Sequence, residues 1–174
     1  MSRINPSLFD KLVADLELDG LRDDDAEITG LDRAPRFYTV PRLERFSEAA
    51  LRATVLRELN WLFNTTSLAS AQDLDQAPEV ARSVLNYGLA DLTGKLLTRQ
   101  SVQARARDMR EAILRFEPRV ERRSLDVDVD GGHARANSIA FTIRGDLTTA
   151  VRALPVEFRT DVEIDTGAAT IWGA

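Results

Sequence analysis

The chain changes its hydrophobic period abruptly at Phe116-Glu117-Pro118-Arg119. Upstream, Val102, Ala106, Met109, Ile113 and Phe116 recur at helical spacing, the apolar stripe of an amphipathic helix. Downstream, Leu125, Val127 and Val129 alternate with Asp126, Asp128 and Asp130, a strand with one wet face. Pro118 supplies no backbone donor and disfavours helical geometry at Glu117, so the helix ends near Phe116. An acid and a base, Glu117 and Arg119, then flank a rigid proline at the junction. Local chemistry alone expects both charges to be solvated at an exposed turn, where losing either costs under about 1 kcal/mol.

The same change of period orders the rest of the chain. Residues 6–16 read as a short helix, with Leu8, Leu12 and Leu16 on one face and Phe9 and Val13 beside them. Residues 17–41 carry Asp23-Asp24-Asp25, Gly20, Gly30, Pro35 and Pro41 and read as an extended, partly mobile segment. A long helix is expected over 43–63. Leu51, Val55, Leu59 and Leu62 form one stripe, and Phe46, Ala49, Ala53, Leu56, Asn60 and Phe63 its neighbour. Glu48 and Arg52 are spaced to pair at i,i+4. Asn64-Thr65-Thr66-Ser67 ends this helix. A loop over 68–78 and a helical turn near 79–83 precede the turn Asn86-Tyr87-Gly88, where glycine permits a positive backbone angle.

Beyond the junction, strands are expected at 120–129 and 134–144, joined by Asp130-Gly131-Gly132 hairpin chemistry. A connection over 145–153 leads to a third strand at 155–165, and a short fourth follows at 168–172. In the third strand Val156, Phe158, Val162 and Ile164 point one way. Glu157, Arg159, Asp161, Glu163 and Asp165 point to the wet side. The pattern is α+β, N-terminal helices packed on a C-terminal antiparallel β-sheet of three to four strands. It divides into an N-terminal segment, 1–41, and one domain, 42–174.

Composition narrows the function classes. Acidic residues outnumber basic ones, 28 to 23, for a net charge of −5, which argues against nucleic acid as the main partner. Arg105, Arg107, Arg110 and Arg115 are expected on the polar sides of their helix. Without cysteine the chain has neither a disulfide framework nor thiolate chemistry, which fits a reducing cytoplasm. His133, the only histidine, falls in a hairpin turn and reads as solvated. No metal or cofactor motif stands out, and neither a secretory pattern nor a membrane-spanning run is visible.

Four blocks carry a resemblance. Phe116-Glu117-Pro118-Arg119 resembles the Glu-Pro-Arg motif of small phage baseplate wedge proteins that bear a lysozyme-like label. Ser83-Val84-Leu85-Asn86-Tyr87-Gly88-Leu89 with Asp91 resembles the Ser-Val-Leu-Asn-Tyr-Gly-Leu-Pro-Asp block of the TssE family, bacterial type VI secretion baseplate subunits. Pro6-Ser7-Leu8-Phe9-Asp10-Lys11-Leu12 and Leu56-Arg57-Glu58-Leu59-Asn60-Trp61-Leu62-Phe63-Asn64-Thr65 are similar to two further blocks, and all four stand in family order. Ala90 departs from the pattern, where that family has proline.

The resemblance implies a structural, non-enzymatic subunit of a phage-tail-like baseplate at the inner face of the cell envelope. It implies that Glu117, Pro118 and Arg119 engage the helical core of the wedge, with Asn86, Tyr87 and Gly88 also at partner contacts. The implied partners are the wedge subunits TssF, TssG and TssK and the sheath subunits TssB and TssC. It further implies that the sheet receives the first ring of the contractile sheath. Backbone pairing at a free sheet edge is a physical route to that, with Arg159, Asp161 and Glu163 as the wet-side candidates. The alternative is a lysozyme-like muramidase. Such enzymes need two placed carboxyls. Glu117 is one candidate, the sequence nominates no second, and a guanidinium two residues away is a poor neighbour for a proton donor.

Overall fold

A computed structural model describes residues 8–9, 47–91, 98–130, 137–149 and 152–173. Within these, Ser47 starts the first long helix, α1 (Glu48–Phe63), by accepting the Ala50 amide on its hydroxyl at 3.2 Å. Asn64 closes it, its amide bonding the Asn60 carbonyl. A 3₁₀ turn (Leu68–Ser70) and a one-turn helix, α2 (Pro78–Arg82), follow. A second 3₁₀ turn (Val84–Asn86) leads into Tyr87 and Gly88. The second long helix, α3 (Arg99–Phe116), opens with a reciprocal cap between Thr98 and Ser101. It ends at Phe116, as the proline requires.

Four strands complete the fold: β1 (Asp126–Asp130), β2 (Ser138–Thr148), β3 (Ala153–Glu163) and β4 (Ala169–Gly173). They form one antiparallel sheet in sequence order, so among the described residues β1 and β4 are its edges. Helices precede strands, and the arrangement is the α+β one expected. The stripe of α3 buries Met109 and Ile113 against the sheet's inner face, with Val102 and Phe116 half-buried at its two ends. That face supplies Val127, Phe141, Ile143, Leu147, Phe158, Val162 and Ile171, which close the core with Leu51, Val55, Leu59 and Leu62 of α1. Each such side chain stabilises the fold by about 1.5–3 kcal/mol relative to its exposed state.

Several expectations are corrected. The first strand begins six residues late. Val120 makes only an isolated bridge to Leu147, and a turn follows in which Ser124 donates back to the Glu121 carbonyl. The connection placed over 145–153 is largely strand, because Gly145 sits over Leu125 without breaking the ladder and Leu147 resumes the core phase, fully buried. Glu48 pairs with Arg152 at 3.0 Å, and Arg52 donates to the Pro155 carbonyl, so each ties α1 to the sheet. Arg105 is not on a polar face: it is buried and donates to the Ala90 carbonyl at 2.6 Å. Burial lowers its pKa, against the pull of Asp108 and Asp91.

The outer face of the sheet is not uniformly wet either. Asp161 is buried, beside its register partner Ala140, which is buried too. The expected helix at 6–16, apart from Leu8 and Phe9, and the segment 17–41 lie outside the described residues, as do Gly131, Gly132 and His133. Among the described residues, no helix is long and apolar enough to cross a membrane.

Candidate partner-binding site

The junction that the sequence marks is closed by charge. Glu117 is 2% exposed, and both of its carboxylate oxygens are held by Arg119, Oε1 by Nε at 2.7 Å and Oε2 by Nη2 at 2.6 Å. The Arg119 amide donates to Oε1 as well, at 3.2 Å. This bidentate fork is the strong form of the pair, and Pro118 sets its span. The same Nη2 reaches Glu58 Oε2 on α1 at 2.5 Å, and Nη1 donates to the Thr54 hydroxyl at 3.2 Å. The Thr54 hydroxyl in turn donates a hydrogen bond to the Leu51 carbonyl at 2.9 Å. On the far side of Glu58, Arg57 donates to Oε1 at 2.7 Å. Two carboxylates and two guanidiniums thus join α1 to the end of α3. The Arg119 carbonyl accepts from Thr148, which carries the junction on to β2.

The exposed turn expected from local chemistry is therefore overturned. Pro118 faces solvent and Arg119 is partly covered, but the acid is inside. The reason is the side of α1 that presents Thr54 and Glu58, one turn apart, toward the junction. Sequence reading missed these two residues as site members. A signal existed: Thr54 and Glu58 are polar positions abutting the Val55, Leu59 and Leu62 stripe, where a solvated face is not expected.

Above this network lies a pocket of about 320 Å³, whose walls include Glu58, Leu62, Tyr87, Phe116 and Glu117. The Tyr87 ring packs edge-on to Phe116 at 5.1 Å, and its hydroxyl donates to the Glu58 carbonyl at 3.4 Å. Burial pushes the phenol up to about 12, with the carboxylates of Glu58 and Glu117 adding to the effect. On the opposite rim Phe9 meets Trp61 edge-on at 5.2 Å, and the Arg57 guanidinium stacks on both rings at 4.8 and 4.9 Å.

Gly88 keeps Tyr87 in place. Its φ is +115°, and the next residue, Leu89, exchanges backbone bonds with Thr65 and Ser67 at 2.9 Å each. Asn86 locks the preceding turn, accepting from the Ala69 amide at 2.9 Å and donating to the Ala81 carbonyl at 3.0 Å. The structure thus brings Tyr87 together with Glu117 and Arg119. It does not bring Arg159, Asp161 or Glu163 there. They lie on β3, an interior strand paired on both sides. Arg159 lies 3.7 Å from Glu157 on the outer face, and Glu163 accepts from Thr166 at 2.6 Å in the turn to β4.

Glu58 carries a pH signature. Burial raises its pKa above the ordinary 4.5 and Glu117 raises it further, while Arg119 and Arg57 oppose the shift. With a raised folded value, the native state holds more protons than the unfolded chain between the ordinary 4.5 and that folded value. The titration of Glu58 therefore removes stability as pH rises through the folded value. The stability of wild type relative to Glu58→Gln is expected to fall from pH 4.5 to neutrality in urea unfolding. A difference that rises with pH would show that the two arginines outweigh burial.

The comparison with curated proteins gives no match. A family profile, described as baseplate wedge protein gp25, matches residues 49–151. That span is more than half of the chain and holds Thr54, Glu58, Tyr87, Gly88, Glu117 and Arg119. With the match spanning the whole charged junction, the chain belongs to the baseplate wedge protein gp25 family.

Proposed function

We propose that the chain is a structural baseplate subunit of the type VI secretion kind, similar to TssE. In this reading it joins TssF, TssG and TssK through the Glu-Pro-Arg junction and starts the TssB–TssC sheath on its sheet. The observation that carries the reading is the shared guanidinium of Arg119, which holds Glu117 and Glu58 rigid beneath the aromatic pocket. A partner helix of the wedge core that docks against Tyr87 and Phe116 meets a surface already ordered, so it pays little ordering entropy. Glu117→Gln and Arg119→Lys keep the size of the side chain and break the fork. Either variant, folded by thermal melt, is expected to be lost from pull-downs of the wedge subunits. A folded variant that assembles baseplate and sheath at normal levels would remove the junction from the mechanism.

The strand-accepting edge in this reading is β4. The Glu163 amide bonds the Ala168 carbonyl, and strand alternation turns the amides of Asp161 and Arg159 the same way, toward β4. Prolines at Arg159, Asp161 or Glu163 would break an interior ladder. On β4 the alternation turns the backbone of Ala169, Ile171 and Gly173 outward. Gly173→Pro removes an outer donor without loss of core side chain. It is expected to stay in the baseplate and to abolish sheath foci in fluorescence microscopy. Normal sheath from a folded, baseplate-bound Gly173→Pro would end the strand-acceptor role.

The junction geometry also weighs against the muramidase. Both oxygens of Glu117 are occupied, and the guanidinium fills the space between the two carboxylates where a sugar would have to enter. The inner-face location rests on the baseplate reading.

A further inference from the structure

We propose that Asn64 is a register stop for a strand added to β4, a role that rests on the strand-acceptor reading above. Ala169 is the first residue of β4, and its outward amide is not open. It donates to Asn64 Oδ1 at 3.0 Å, and its carbonyl accepts from Asn64 Nδ2 at 2.9 Å. One carboxamide thus makes the two bonds that a residue of a neighbouring strand would make. Asn64 is held for the task at the C-cap of α1, where Nδ2 also donates to the Asn60 carbonyl at 2.8 Å.

The outward groups of β4 then divide in two. Ala169 is satisfied within the chain. Ile171 and Gly173 have no paired strand on their outer side among the described residues. Before Ala169 the edge gives way to a polar pocket of about 200 Å³, walled by Asn64, Thr66, Arg105 and the Thr166–Ala168 turn. An incoming strand can pair with Ile171 and Gly173 and ends where the carboxamide begins. A register displaced by two residues, which keeps the same side chains facing inward, would have to displace Asn64. The clasp therefore selects one register among those that alternation alone leaves equivalent.

The chain has no cysteine, so single cysteines report on the edge cleanly. Ala168→Cys, exposed just before β4, and Trp172→Cys, on the outer face of β4, lie one on each side of the stop. Each is paired, in cells that assemble sheath, with a cysteine scan of the sheath subunits' terminal strands. With Asn64 present, Trp172→Cys is expected to cross-link and Ala168→Cys to remain unlinked. Adding Asn64→Ala should raise the Ala168 cross-link roughly fivefold or more, the equivalent of about one lost hydrogen bond. Asn64→Asp keeps the acceptor for the Ala169 amide and loses the donor, so it should fall between, and it serves if the alanine variant does not fold. On the purified chain, the Ala169 amide should exchange about tenfold more slowly than that of Ile171. Equal cross-linking at both positions with Asn64 present overturns the stop, as does exchange at Ala169 as fast as at Ile171. Failure of both positions to cross-link, with Ala169 protected, instead overturns the strand-acceptor reading beneath it.

Discussion

Glu117→Ala is expected to destabilise the fold by about 3–5 kcal/mol. The carboxylate is 2% exposed and engages Arg119 at Nε, at Nη2 and at the backbone amide. Its removal leaves the Arg119 guanidinium, itself 14% exposed, without the acid that held it at two nitrogens. Breaking a buried pair from one side is costly because the remaining charge stays desolvated. For a chain of this size the melting temperature should drop by roughly 10 °C. The check is a melt of the variant beside Glu117→Ala/Glu58→Ala. The double variant should recover none of the loss, since it takes the Glu58 carboxylate from Arg119 and Arg57 as well. A drop under about 1 kcal/mol would restore the solvated-turn picture that local chemistry favours.

The second large effect is expected at Gly88. A β-carbon there would stand 2.3 Å from the Thr65 carbonyl oxygen and 2.8 Å from its carbon. Both are backbone atoms, so no side chain can swing away. The φ of +115° adds strain for any L side chain. Gly88→Ala must push the turn off Thr65 and lose the two bonds between Leu89 and the Thr65–Ser67 segment. The sum is about 2–5 kcal/mol. Tyr87 moves with it, so the titration near 12 should return toward the ordinary phenol value of 10.0. Calorimetry and an ultraviolet titration of the phenol read the two effects. A variant that melts like wild type would mean the turn can slide without loss.

Much of this architecture is legible in the chain itself. The stripe from Val102 to Phe116 and the alternation after Leu125 give a helix and a strand on the correct sides of Pro118. Gly88 is read correctly as a position that needs a positive angle. The failures share one cause, contact between distant segments. Glu58 meets Arg119 across 61 positions, and no local window contains both. Arg105 reads as a solvent residue because helical period ignores the Ala90 carbonyl that receives it. Asp161 reads as wet because alternation sorts residues between two faces without saying that one face is partly dry. Residues 145–153 read as a connection because composition cannot show that Leu147 re-enters the core.

The ladders of the sheet differ in length, and that difference has a mechanical meaning. β2 and β3 are paired along 11 residues each, while β4 holds to β3 over a segment of 5. Tension applied along β4 loads its bonds to β3 in shear, all together, and the Asn64 carboxamide passes part of the load to α1. Tension applied across the sheet peels the same bonds one at a time, starting from Gly173. The molecule is therefore stiff to a pull along its outer strand and weak to one perpendicular to it. Forced rupture is set by the unfolding rate rather than by equilibrium stability, so direction of load can matter more than total binding energy.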